Sequence, residues 1–215
     1  MKVKWLGHAS FLISSDAGNK IITDPYPQGS GLSYAPVKES VDIVTVSHDH
    51  FDHNCVSSLP GKPEVITGSG TKNVKGLQFN GIATYHDESQ GKERGTNIVF
   101  CFSVDGIKLC HLGDLGHRLD KGQLDEIGAI DVLFIPIGGF YTIDSKMAGL
   151  VIDDLKPGVA MPMHCKTAKC NWPLNTIDDF LAGKNNVKTM GSSEIEFQAG
   201  ELPQPTAIVI LEPVS

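Results

Sequence analysis

Apolar and polar positions alternate in short runs for most of the chain, and helical spacing enters only after about residue 120. Residues 3–5, 11–14 and 20–23 carry the two-residue period of strands, parted by Gly7-His8 and by the turn Asp16-Ala17-Gly18-Asn19. Residues 41–46 are β-branched and mostly apolar, as in a buried strand, and 64–66, 77–79 and 82–85 read as further short strands. Residues 97–104 and 107–111 predict a hairpin about Asp105-Gly106, a pair suited to tight hairpin turns. Residues 120–127, 144–155 (with Asp144 as N-cap) and 176–181 predict helices, and a shorter one at 54–59 is closed by Pro60-Gly61. Strands are expected again at 132–135, 159–163, 187–190, 195–197 and 207–211. The stretch 25–40, rich in Gly, Pro and Ser and without a period, reads either as a flap over a site or as a surface excursion.

Strands followed by helices, in that order twice, predict an α/β protein with two sheets packed face to face and helices outside. The 215 residues, 40% of them hydrophobic, suffice for a sizeable core, and residues 1–215 are expected to form one domain. A net charge of −7 disfavours a general nucleic-acid binder, which normally shows a basic face, but leaves room for a local pocket that attracts an anionic small molecule. Five cysteines without repeated spacing do not make a disulfide framework and suit a reducing cytoplasm. The first residues show no apolar run of signal-peptide length, and no segment approaches about eighteen uninterrupted apolar residues, so no membrane span is expected. No long amphipathic seam points to an oligomeric state.

The chemistry is concentrated in Ser47-His48-Asp49-His50-Phe51-Asp52-His53, which holds three of the eight histidines and directly follows the strand at 41–46. His48 and His50, two apart in extended backbone, point to one side. Asp52 and His53 follow the bend and can aim at a neighbouring point. Imidazole and carboxylate suit divalent zinc, manganese and iron. Four candidate ligands in one turn exceed the usual three of a single catalytic metal, so two adjacent ions are the economical reading. A solvated polar turn is the plainer alternative. The same pattern, a strand ending on His or Asp, recurs at Tyr85-His86, Leu112-Gly113-Asp114 and Met163-His164, with Ile22-Thr23-Asp24 in support. Loops at strand ends carry function because a rigid scaffold holds them.

Together with Gly7-His8-Ala9-Ser10, Thr23-Asp24-Pro25, Pro136-Ile137-Gly138 and Pro162-Met163-His164, these pieces resemble the metallo-β-lactamase-fold hydrolases, near the branch that includes ascorbate-6-phosphate lactonases. The resemblance implies an αββα four-layer sandwich. It further implies that His48, His50 and His86 hold one metal, that Asp52, His53 and His164 hold a second, and that Asp114 bridges them. Asp24 would orient a ligand histidine, as carboxylates commonly do. Leu115-Gly116-His117 and the Gly139-Phe140-Tyr141 loop depart from the lactonases, so their substrate is not carried over.

A metal pair, zinc in the first instance and manganese or iron otherwise, would activate water for attack on a small ester, lactone or phosphodiester, with Asp52 handling the proton. His8 is a candidate for lining the site or else a buried structural histidine, and His117 is a candidate for its surroundings, with a solvent-facing role the plainer reading. Arg94 and Lys166 could grip an anion, surface solvation being the plainer reading of both. His111 reads as a core or supporting histidine, and Cys165 should face away from the metals. Other functions consistent with such a centre are a nuclease, a diiron oxidoreductase and a metal-binding protein without catalysis.

Overall fold

Alternation within each strand assigns its two faces to two different hydrophobic layers. In the computed structural model, which describes residues 1–214, Lys2–Gly7 (β1), Ser10–Ser14 (β2), Lys20–Thr23 (β3), Ile43–Val46 (β4) and Glu64–Thr67 (β5) build the first sheet. Val3, Trp5, Phe11, Ile13, Ile21 and Ile43 face inward, while Leu6, Leu12, Ile22 and Val44 face outward into a separate cluster. Gly70–Val74 (β6), Leu77–Tyr85 (β7), Thr96–Val104 (β8), Ile107–His111 (β9), Val132–Pro136 (β10) and Val159–Met163 (β11) continue into the second sheet. Val187–Thr189 (β12) and Ala207–Ile210 (β14) join it, while Glu194–Glu196 (β13) crosses back to pair with β1. The spatial orders are β13-β1-β2-β3-β4-β5 and β12-β14-β11-β10-β9-β8-β7-β6.

The inner faces share one core, in which Phe11 and Phe134 lie with ring centroids 4.3 Å apart. The strands β10 and β11 are apolar on both faces because the second sheet is covered on both. Its outer face packs against the helices Lys121–Ile127 (α1), Ser145–Leu155 (α2) and Ile177–Leu181 (α3). α2 buries Ala148, Val151, Ile152 and Leu155, the spacing of one helical face, and Asp144 caps it by accepting from Met147 N–H. The result is the α/β sandwich expected. Its outer layer over the first sheet is built mainly by loops: Tyr26, Leu32 and Tyr34 of the 25–40 stretch are buried there with Leu174 and Cys170. That stretch therefore serves as a packed layer, and the expected helix at 54–59 shortens to a 3-10 turn, Val56–Ser58.

Two further differences have local causes. The expected strands at 77–79 and 82–85 are one continuous strand, β7. Gly81 lies inside it because a Cβ there would stand 2.3 Å from the Gly68 carbonyl oxygen. β6 shows no apolar alternation, since it is an edge strand exposed on nearly every residue. Residue 215, the last of the span expected as one domain, lies outside the described residues. Among the described residues no helix is long and apolar enough to cross a membrane.

Phe134→Ala, which empties the inter-sheet core at its Phe11 contact, should lower the unfolding free energy by about 3–5 kcal/mol in a urea titration. A loss below about 1 kcal/mol would contradict the placement of that core.

Candidate metal centre

Six strands end at one rim of the sandwich, and each contributes polar groups there. β1 leads to His8, β3 to Asp24, β4 to Ser47-His48 and the turn through His53, β7 to His86, β9 to Asp114 and β11 to His164. Backbone hydrogen bonds tie the two sheets together beneath them: His164 N–H donates to the His8 carbonyl at 3.2 Å and Ile98 N–H to the Ser47 carbonyl at 2.9 Å. His8, Asp24 and His164 all have left-handed backbones, with φ of 51°, 37° and 48°. Such conformations cost on the order of 1–3 kcal/mol each and persist where the surroundings over-determine them, as at functional sites.

The side chains converge on one oxygen. Oδ2 of Asp114 lies 3.2 Å from His53 Nε2, 3.2 Å from His86 Nε2, 3.3 Å from His164 Nε2 and 3.9 Å from His48 Nε2. On one side stand His48, His50 and His86, with His48 Nε2 and His50 Nδ1 3.0 Å apart. On the other stand Asp52, His53 and His164, joined by His8, whose Nε2 is 3.0 Å from Asp52 Oδ2. Within each group the ligand atoms lie within 4.8 Å of one another. The structure thus gathers all seven expected ligands, with Asp114 between the two groups, and adds His8 behind Asp52.

The groups around these side chains determine which nitrogen each imidazole presents. Asp24 is buried and accepts from Ser47 N–H at 2.8 Å, from Ser47 Oγ–H at 2.6 Å and from His53 Nδ1 at 2.9 Å. With its own proton committed to Asp24, Ser47 Oγ must accept from His48 Nδ1, 2.9 Å away. One carboxylate therefore orients His53 directly and His48 through Ser47, and turns the Nε2 of both toward the centre. Asn97, fully buried, holds the Asp114 turn: its Oδ1 accepts from Asp114 N–H at 2.9 Å and its Nδ2 donates to the Leu112 carbonyl at 2.9 Å. Gly113 completes that turn at φ +56°, where a Cβ would meet Asn97 Oδ1 at 2.4 Å. His111 is structural, since its Nε2 donates to the Ala9 carbonyl at 2.8 Å and its Nδ1 accepts from Gly113 N–H.

Burial, with the neighbouring His53, pushes His48 down to about 3, and burial with His164 pushes His8 down to about 4, so both are neutral near pH 7. Burial alone would raise Asp114, yet His164 and His53 hold it well below the ordinary carboxylate range. Burial likewise opposes charge on His53, but Asp114 and Asp52 hold it well above the usual imidazole value. Positive charge is stabilised at that point. Among the described residues, His53 Nε2, both nitrogens of His164, His86 Nδ1 and Asp114 Oδ1 are buried without a hydrogen-bond partner. Buried polar atoms seldom go unpaired. Imidazole nitrogens and carboxylate oxygens, with a cation taking the place of the proton on His53, are the donor set that zinc, manganese or iron accepts, so these residues could hold such ions.

The centre opens into a cavity of about 440 Å³. Arg94 lines it, as do Phe51, Tyr141 and Trp172, aromatic residues that reading the chain for ligands passed over. Two expected neighbours lie elsewhere. His117 accepts from Tyr85 N–H at 3.1 Å and contacts the Arg118 carbonyl, so both its nitrogens are used in bracing a loop. Lys166 donates to the Trp172 carbonyl at 3.0 Å, holding the 166–172 turn in place of gripping a ligand in the cavity. Cys165 packs into the layer beneath the helices, away from the ligands.

Comparison with known proteins places this arrangement. Residues 2–164 match the family model of the beta-lactamase superfamily domain. A UPF0173 metal-dependent hydrolase of Carboxydothermus hydrogenoformans is 33% identical over 205 residues, which span 83% of this chain and 88% of that one. A crystal structure of a Thermotoga maritima protein of the metallo-β-lactamase superfamily is similar over 98% of both chains with 38% identity and a TM-score of 0.81. A metallo hydrolase of Ignicoccus hospitalis shares the fold at 22% identity and a TM-score of 0.67, covering 92% of this chain and 99% of its own.

Asn97→Ala would leave the Asp114 N–H and the Leu112 carbonyl buried without partners. The expected cost is about 2–6 kcal/mol of stability in a denaturant titration, from about 1–3 kcal/mol for each of the two orphaned groups. No measurable loss would show that Asn97 does not hold the turn.

Proposed function

The chain belongs to the beta-lactamase superfamily, in its UPF0173 branch of metal-dependent hydrolases, and on that premise we propose a hydrolase that uses two divalent cations to split a small ester, lactone or phosphodiester. The observation that carries the proposal is the position of Asp114 Oδ2, within 3.9 Å of four imidazole nitrogens and between two ligand groups. His48, His50 and His86 would hold one cation, Asp52, His53 and His164 the other, and Asp114 would be shared. When bound, such a pair supplies Lewis acidity and a water acidified enough to be nucleophilic near neutral pH. Zinc suits the donor set best, and manganese and iron tolerate it.

The remaining work falls to the chain's own residues. Asp52 reaches the cavity with one oxygen 3.0 Å from His8 Nε2, and the neighbouring His53 holds it below the ordinary carboxylate range despite its burial, so it is ionised; its place in the cavity wall, not its basicity, is what assigns it the proton of the attacking water. His8 limits the rotation of that carboxylate. Asp24 and Ser47 engage Nδ1 of His53 and His48 and so turn the Nε2 of each toward the centre. Trp172 and Tyr141 line the cavity beside the centre. The five free cysteines fit a reducing cytoplasm as the setting.

Chelation followed by zinc or manganese loading, with lactones, phosphodiesters, thioesters and β-lactams assayed in parallel, tests the reading. Turnover should require metal and return on loading, and activity that survives complete metal removal would overturn it. Asp114→Ala should abolish turnover and lower the metal content, and full activity with two ions retained would refute the shared role. Asp24→Asn should weaken metal affinity about 10–100-fold in a competition titration while the protein stays folded.

A further inference from the structure

Two features of the cavity play no part in hydrolysis itself. The first is a chain of aromatic rings around its mouth. Phe51 meets Trp172 edge-on with centroids 6.0 Å apart, Trp172 meets Tyr141 at 5.9 Å, and Tyr141 meets Phe140 at 4.8 Å. Phe51 and Phe140 are 55% and 59% exposed, the highest values among the large apolar side chains of the described residues. Phe51 lines this cavity and Phe140 the one adjoining it, and exposed apolar side chains gathered at neighbouring openings mark a binding surface more than chance does.

The second is Arg94. Its guanidinium stands 6.0 Å from the Tyr141 ring centre, with one long bond of 3.4 Å to the Phe140 carbonyl and one end-on pair of 3.7 Å to Glu93. Five N–H donors are thus only lightly engaged. The loop that carries it is nevertheless fixed. Asp87, next to His86, accepts the backbone N–H groups of Ser89, Gly91, Glu93 and Arg94 at 2.8–3.0 Å. Arg94 and Tyr141 also line a second cavity of about 450 Å³ that shares His86 and Glu93 with the first, so they stand where the two meet. A preset planar fork beside an aromatic wall is matched to a carboxylate on an apolar body.

We infer that the substrate is a small aryl or similarly apolar carboxylate, its ring lying against Phe51, Trp172 and Tyr141 and its carboxylate, distinct from the bond cleaved, paired with Arg94. This rests on the hydrolase reading for the reaction but not for the binding. Volumes near 450 Å³ suit a small molecule. Glu93 in the wall and the net charge of −7 disfavour a polyanion.

The test is calorimetric titration of the zinc-loaded full chain with 3-phenylpropionate and its neutral amide. The carboxylate should bind about tenfold more tightly, as a paired guanidinium allows. Arg94→Gln should abolish that preference, Arg94→Lys should retain part of it, and Trp172→Ala should weaken both ligands. A preference that survives in Arg94→Gln would mean that the carboxylate goes to the cations and would overturn the assignment. So would failure of both ligands to bind a zinc-loaded chain that still hydrolyses esters. Arg94-dependent binding in a chain that turns over no ester would instead count against the hydrolase reading and leave the anion site standing.

Discussion

Placing the Asp114 carboxylate in a buried cluster of imidazoles is the costly step on which this structure depends. A carboxylate withdrawn from water loses several kcal/mol of solvation even after relaxation, and only nearby positive charge or hydrogen bonds can offset that. Asn97 supplies a hydrogen bond to the backbone of Asp114, not to its oxygens, and Oδ1 is left without a partner. Asp24 and Asp52 are buried nearby, so three acids face neutral imidazoles whose charging is opposed by burial. A cluster of that composition is stable only if positive charge is lodged within it. A proton on His53 meets part of that need, and divalent cations would meet it fully.

The fold supplies the geometry by ending strands from both sheets at one rim. Each strand is anchored on two faces by apolar side chains, and so its last residue is held more tightly than a loop alone could hold it. That anchoring lets His8, Asp24 and His164 keep left-handed backbones that an unconstrained chain would leave. Packing between the sheets and strain at their rim are two parts of one arrangement. The loop stretch 25–40 fits the same logic, since Tyr26 and Tyr34 seal the outer face of the first sheet beneath the site.

The ligand groups could be read in advance because strand ends are local features, visible as an apolar run followed by His or Asp. The packing of two sheets was readable for the same reason, and Asp144 announces the helix it caps. What escaped was set by long-range packing. β6 has no inward face to betray it, and Gly81 looks like a turn residue until the Gly68 carbonyl is placed beside it. His8 is a candidate from its motif, but its bond to Asp52 spans 44 positions, and Asn97 sits on a strand with no motif around it. Trp172 and Tyr141 come together only when the loops after β10 and β11 meet, so their role as walls had no local signal. His117 and Lys166 stand near motifs, and the backbone groups that occupy them, at Tyr85, Arg118 and Trp172, could not be read from the chain.

Acids and imidazoles from six strand ends, with only the proton on His53 offsetting the buried carboxylates, are what a pair of cations would require. Diffraction from crystals of the zinc-loaded chain at the zinc absorption edge addresses that most directly. Two anomalous peaks about 3.5–4 Å apart, flanking the Asp114 carboxylate, are the predicted result. A single peak, or peaks remote from Asp114, would contradict the account.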